Sequence, residues 1–532
     1  MSRLSRRVGA VGLAAVLVGT CLGAGTATAV DDVDTKKLRD AVTVNGILQH
    51  ERAFQVIANN NGGTRASGTD GYLASADYVT RTLRRAGYTV SRQKFTFPFY
   101  REVTPGVSQQ VSPNAVNYQT ATLNFSGSGD VTGVLVPTND LVIPATEKPS
   151  STSGCEATDF PTAPAGPAVA LVQRGTCTFE VKVDNAERAG YEAVLVFNEG
   201  NPSDPTRVGL LTNVTAGSTL QSVPVNGLSY ADGVALATAA KAGPVTVRVA
   251  AEVEYDPKRE TYNVIADSPK GKKADEVVVV GAHLDSVFEG PGINDNGSGT
   301  ATILEIAEQM AALDYTNTLQ RQVRFAFWGA EESGLLGSEH YVEKLSEANR
   351  AKIYANLNFD MVGSPNYVRF VYDGDGSDSP DPNDPSGGPL EGPPGSAEIE
   401  EIFTEYFASQ GLASEPTEFS GRSDYGPFIA AGIPAGGLFS GAEGVKTPAQ
   451  AAIFGGTAGQ PYDPCYHQAC DTINNLNTRA LFELGDAAAH AVLTLSRSTS
   501  GLYPDGSRMA QRRTTATTTA KELTQRGHQS VR

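Results

Sequence analysis

Past its N-terminal segment the 532-residue sequence lacks any long apolar run, so nothing over most of its length demands burial in a membrane. Positive charge is also scarce. Lys and Arg total 42 against 59 Asp and Glu, a net charge of −17, which argues against nucleic acid or an anionic membrane as partner. Cysteine is rarer still, with five in the whole chain. Hydrophobic residues at 40% and charged residues at 19% are an ordinary globular mix, and the length exceeds what one small core organises. Two folded domains with tails are expected.

The N-terminus differs. MSRLSRRVGAVGLAAVLVGTCLGAGTATAV has a basic start (Arg3, Arg6, Arg7), an apolar stretch from Val8 to Leu22 and a small-residue ending at Ala29. This pattern predicts a secretory signal peptide over 1–29 and a secreted, extracellular protein. Arg6-Arg7 hints at twin-arginine export, but Gly9 and Ala10 depart from that signal, so the route stays open. Removing the segment takes away three arginines, and the charge falls from −17 to −20. Cys21 leaves with it, and Cys155, Cys177, Cys465 and Cys470 remain. In an oxidising compartment these read as two disulfides; proximity favours Cys155–Cys177 and Cys465–Cys470 among the three possible pairings.

The texture changes along the chain. In GYLASADYVTRTLRRAGYTV the spacing predicts a helix burying Leu73, Ala76, Val79, Leu83 and Ala86, stopped at Gly87, with a strand following in VSRQKFTF. Over 127–253, short β-rich runs (VTGVLVP, PAVALVQ, EAVLVFN, PVTVRVA) alternate with Pro, Gly, Ser and Asn clusters and one helix near KVDNAERAG, which reads as an inserted β-rich domain. From 254 to 498 strands and helices alternate, and VVVVGAHLD is nearly all valine before its histidine. The expected fold class is α/β: a mainly parallel, mixed sheet flanked by helices on both faces, assembled from 31–126 and 254–498. DGDGSDSPDPNDPSGGPLEGPPG is an acidic insertion without the glycine and terminal glutamate of an EF-hand; calcium is conceivable there but unassigned. The Thr-rich tail over 499–532 reads as disordered or processed.

Acids and imidazoles gather at strand ends. VVVVGA ends in His283 with Asp285 two residues on; PGINDNGSGTA presents Asp295 ahead of a helix; VRFAFWGA ends in Glu331-Glu332; ANLNF ends in Asp360. Open α/β sheets build their sites at the carboxyl ends of strands. His467 lies in DPCYHQACD between Cys465 and Cys470, where a closed loop would hold it with little entropy to lose. His50, His340, His490 and His528 have no ligand-like company in sequence. Two histidines, two aspartates and a glutamate suit zinc, and they suit two ions if one carboxylate bridges.

The segments GAHLDSV, GINDNGSGTA, WGAEESGLLGS, NFDMVG, GRSDYGPF and CYHQACD, in this order, resemble the motif set of the secreted di-zinc aminopeptidases, the bacterial leucyl aminopeptidase family, over about 59–126 and 255–496. RGTCTFEVKVDNAERAGYEAVLVFNEG resembles the protease-associated domain that members of the aminopeptidase Y type carry as an insertion. The resemblance implies a zinc-exopeptidase fold with two Zn2+ per chain. In it, Asp295 bridges the ions, His283 and Asp360 complete one site, Glu332 and His467 complete the other, and Asp285 orients His283. A cis peptide after Asp295 is implied as well.

The resemblance also assigns the chemistry: Glu331 as general base on the attacking water and Tyr466 as oxyanion donor. Glu331 and Asp360 would receive the substrate's free α-amine with Arg422 helping to orient it. Met361 and Phe439 would line a pocket for a large hydrophobic first residue such as leucine. Peptides with a free N-terminus are the expected partners, and a monomer is favoured. Carboxypeptidases and glutaminyl cyclases share the fold, and the Tyr466 and Arg422 motifs favour an aminopeptidase. A receptor-like binding module with a dead peptidase domain would have lost ligands that are all present here.

Overall fold

The computed structural model describes residues 33–146, 150–212, 214–377 and 391–503. The expected signal segment, most of the acidic insertion and most of the C-terminal tail lie outside the described residues.

Strands Val277–His283, Gln322–Trp328, Ile353–Phe359 and Ala435–Phe439 pair in parallel and form the centre of the peptidase half. Their near-continuous apolar sequence follows from burial on both faces. Val278, Val280 and Ala282 point into a large core with Phe325 and Phe327, while Val277 and Val279 point the opposite way, towards Trp328. Helices Val44–Asn60, Asp70–Arg85, Gly299–Ala312, Ser396–Ser409 and Thr478–Arg497 cover the first face. Leu336–Lys344 and Gly426–Ala430 cover the second, through Tyr341, Val342 and Phe428. Antiparallel neighbours Thr246–Asp267 and Phe370–Tyr372 make the sheet mixed.

Helix Asp70–Arg85 is capped by Thr69, whose side chain accepts from Tyr72 N, and it ends before Gly87 at φ +92°, a left-handed conformation that glycine takes without penalty. Its buried face matches the expected one at Ala76, Val79 and Leu83, and Ala86 packs against the core, but not at Leu73. Leu73 is 40% exposed, and Tyr72 takes the inner position with Ala76, Val79 and Leu83. The tyrosine wins because its hydroxyl donates to the Tyr262 carbonyl, which satisfies its polar end inside the core.

The insert continues the same sheet. Gly129–Pro137, Ala168–Gln173, Ala193–Phe197 and Val225–Leu228 pair in parallel, and helices Phe179–Arg188 and Tyr230–Ala242 pack on separate apolar clusters. The link between the halves is a two-stranded ribbon. Thr89–Ser112 runs antiparallel to Thr246–Asp267 from Thr89 opposite Asp267 to Ser112 opposite Thr246. The second of these strands passes unbroken through 253/254, where a domain boundary was expected. Disulfides join Cys155 to Cys177 and Cys465 to Cys470.

Candidate metal centre and active site

The sheet geometry explains how residues so far apart in sequence meet. His283 is the last residue of its strand, Asp360 directly follows the adjacent strand, and Glu331 and Glu332 lie just past Trp328 on the other neighbour. Parallel strands put their carboxyl ends at one edge, so three loops converge there. Asp295 enters from the turn Ile293–Ser298, immediately before helix Gly299–Ala312. The Asp295–Asn296 peptide is cis.

His283 Nε2 lies 3.2 Å from Asp295 Oδ1 and 3.3 Å from Asp360 Oδ1. His467 Nε2 lies 3.2 Å from Asp295 Oδ2 and 3.0 Å from Glu332 Oε2. Each Asp295 oxygen thus faces a different imidazole. Glu331 Oε2 is 3.8 Å from His283 Nε2, in the same pocket. Glu332 Oε1 and Asp360 Oδ1 are buried without a hydrogen-bond partner. An anionic oxygen left so is costly unless a cation completes it. Carboxylate oxygens and imidazole nitrogens are zinc donors, so this set fits zinc on its own chemistry.

The electrostatics agree. Burial opposes charge on His283 and His467, yet the surrounding carboxylates, led by Glu331 for the first and Glu332 for the second, hold both imidazoles well above the ordinary range. Burial pushes the Glu331 carboxyl well above its ordinary range against the opposing pull of His283, and it raises Glu332 to about 7 despite His467. Burial also acts to raise Asp295, but hydrogen bonds from the two imidazoles outweigh it and hold the carboxyl low. A pocket with more carboxylates than its imidazoles can neutralise is a cation site.

Supporting contacts fix each group. Asp471 accepts from Asn294 N at 2.8 Å and Asp295 N at 3.0 Å. Ser423 Oγ donates to Asp360 Oδ2 at 2.6 Å, and Asn358 Nδ2 donates to Ser423 at 2.8 Å. Asp285 touches two neighbours: its backbone carbonyl lies 3.1 Å from His283 Nδ1, while its carboxylate accepts from Glu331 N at 3.3 Å. The carboxylate itself is 3.6 Å from that imidazole, so the backbone carbonyl is the nearer orienting group.

Tyr466 stacks on His467 with ring centroids 3.9 Å apart. Arg422 Nη2 donates to the Tyr466 hydroxyl at 3.3 Å while Nη1 pairs with Glu443 at 2.7 Å. Burial, with Asp295 adding, pushes the Tyr466 phenol well up, so it keeps its proton and is a donor. Met361 is buried at φ +53° beside Asp360; Ser440 N donates to its carbonyl at 2.8 Å, which draws the partly buried Phe439 to the same edge.

Four contributors carry little signal in sequence: Ser423, Asp471, the fully buried Asp424 and Arg65. Asp424 follows Arg422 in a motif already singled out, and burial raises its carboxyl to about 7. His50, expected to lack ligand-like company, lies 3.2 Å from Glu308 and 3.6 Å from Glu305. The residues are on different helices, Val44–Asn60 and Gly299–Ala312, and only packing joins them. At the start of the acidic insertion Asp373, Asp375 and Glu400 also approach one another, and backbone N–H groups of Ser377 and Gly374 hydrogen-bond to them.

Residues 263–492 match peptidase family M28, and residues 131–236 match the PA domain. An aminopeptidase of Pseudomonas aeruginosa is 48% identical over 460 residues, covering 86% of this chain and 81% of that one. A probable leucine aminopeptidase 2 of Aspergillus fumigatus is 39% identical, covering 83% and 81% respectively. The solved structure of a zinc aminopeptidase from Bacillus subtilis superposes with a TM-score of 0.59 at 25% identity, over 85% of this chain and 95% of that one.

Proposed function

The chain belongs to peptidase family M28 and is a zinc aminopeptidase with a PA domain inserted ahead of its peptidase domain, and from that premise we propose a di-zinc mechanism with Glu331 as general base. The observation that carries the reading is the position of Asp295, each of whose oxygens faces a separate imidazole 3.2 Å away. His283 and Asp360 would hold one ion with Asp295, and Glu332 and His467 the other. Bound zinc supplies Lewis acidity and lowers the pKa of a coordinated water from 15.7 to about 7.

The remaining work falls to side chains. Glu331 takes the proton of the attacking water and returns it to the leaving amine, a role that its raised carboxyl suits. Tyr466 keeps its proton and can donate to the oxygen of the tetrahedral species, because Arg422 occupies only a lone pair of its hydroxyl. The carboxylates of Glu331 and Asp360 attract the α-ammonium of the substrate and so restrict cleavage to the N-terminus. Arg422 is not a direct partner for that cation; it acts by holding Tyr466. Met361 and Phe439 at the same edge support a preference for large hydrophobic first residues such as leucine. The two disulfides support a secreted protein.

Metal analysis together with a panel of aminoacyl anilides tests this. The expected result is two zinc ions per chain and fastest release of leucine-like residues. Glu331→Gln should keep both ions and lose on the order of 10²–10⁴ in kcat. No turnover of leucyl-anilide by the zinc-loaded protein ends the reading.

A further inference from the structure

Arg65 is fully buried, far from any solvent partner, on the segment Thr64–Ser67 between two helices. Its Nε donates to the Pro291 carbonyl at 2.8 Å, Nη2 to the Gly292 carbonyl at 2.5 Å, and Nη1 to the Leu284 carbonyl. Leu284 separates His283 from Asp285; Pro291 and Gly292 lead into the turn that carries Asp295. One planar guanidinium therefore ties together the two ends of the single loop that runs from His283 to the turn carrying Asp295.

Its neighbours extend the same junction. Arg65 N donates to Ser286 Oγ at 2.9 Å, and Thr64 Oγ1 donates to the Val287 carbonyl at 2.8 Å. Ser67 Oγ accepts from Ala330 N at 2.6 Å, next to Glu331. Glu51 is also fully buried, and neither of its oxygens has a hydrogen-bond partner; burial pushes its carboxyl well above the ordinary range against the opposing pull of Arg65. Gly297 is close-packed above it, since a Cβ there would lie 2.7 Å from Glu51 Oε2. The guanidinium fork is spent on carbonyls and makes no hydrogen bond to Glu51.

We propose that Arg65 is a positioning residue that sets the separation of His283 from Asp295, and through it the affinity of the site for its metals. The chemistry requires arginine. Three carbonyls at the two ends of one loop need donors arranged in a rigid plane, and a guanidinium offers five N–H groups in that form. A lysine ammonium reaches one or two of them and does not fix the two ends of the loop relative to each other. The proposal rests on the di-zinc reading above, because its readout is metal binding.

The test uses the full chain, wild type and as Arg65→Met and Arg65→Lys. Zinc affinity is measured against a chromophoric chelator, the cobalt-substituted absorption spectrum is recorded, and kcat and KM are separated. Loss of an outer hydrogen-bonding group costs about 10–100-fold in metal affinity. Both folded variants are expected to lose that much, with an altered cobalt spectrum and a fall in kcat at nearly unchanged KM. Folded Arg65→Met with wild-type affinity and spectrum overturns the proposal. If that variant does not fold, Arg65→Lys decides, and wild-type affinity and spectrum there overturn it equally. A wild-type protein that takes up no metal instead brings down the di-zinc reading, and this assignment with it.

Discussion

Ser423 donates its hydroxyl to Asp360 Oδ2 at 2.6 Å, leaving Oδ1 as the carboxylate oxygen turned towards His283. The serine decides which oxygen is spent on protein and which is offered to a cation. On the proposed di-zinc reading, Ser423→Ala should weaken the site that uses Asp360 by about 10-fold while the other keeps its affinity. Stepwise chelator titration reads this directly. Equal weakening of both sites would show that the hydroxyl holds the whole edge and not Asp360 alone.

Tyr466 presents a protonated phenol held by Arg422. Tyr466→Phe removes the donor and leaves the ring stacked on His467. The expected result is a loss of about 10²-fold in kcat with little change in KM or zinc content. A variant that instead loses zinc would assign Tyr466 to packing of the histidine loop.

The Cys465–Cys470 bridge closes the loop that carries His467, which sits at φ +55°. Ordering one residue of a loosened backbone costs about 1–2 kcal/mol, equivalent to about 10-fold in binding. Cys465→Ser combined with Cys470→Ser should therefore weaken the zinc site that uses His467 by at least about that factor. Unchanged affinity would mean that the loop is held by Asp463 and Asp471 without the bridge.

In the PA domain Lys182 is buried, with Nζ donating to the Ser153 carbonyl and lying 3.7 Å from Cys155 Sγ. Burial lowers its amine from 10.5 to about 8. Between those values the unfolded chain binds more protons than the folded one, so stability rises with pH across this window and is at its floor at and below about 8. The span corresponds to roughly 3 kcal/mol. Thermal unfolding across pH 8 to 10.5 should show the rise in the wild type and not in Lys182→Met, which is also expected to be the more stable at neutral pH. Parallel pH profiles of the two proteins would refute the assignment.

The part of the site legible in sequence was the part written as strand ends. Val277–His283, Gln322–Trp328 and Ile353–Phe359 announce themselves by apolar runs, and the residue after each run stands out because it breaks the pattern. Arg65, Asp424 and Ser423 stay hidden for the opposite reason. Arginine in a Gly/Thr-rich turn and serine in a loop look like surface residues, and only the tertiary fold buries them against carbonyls or carboxylates. Leu73 misled because helical spacing leaves a one-residue ambiguity, which the Tyr72 hydroxyl resolves through a contact 190 residues distant. His50 meets Glu305 and Glu308 for the same kind of reason, since two helices must pack before the three side chains become neighbours.

The ribbon of Thr89–Ser112 against Thr246–Asp267 has a practical consequence for anyone wishing to isolate the catalytic half. Cutting at 253/254 would sever one strand of this ribbon partway and leave its partner with a ladder of unpaired amides, which invites intermolecular association. A trimmed enzyme should instead keep a shortened hairpin, rejoined by a tight turn near Phe99 and Asp256, where the two strands still face each other.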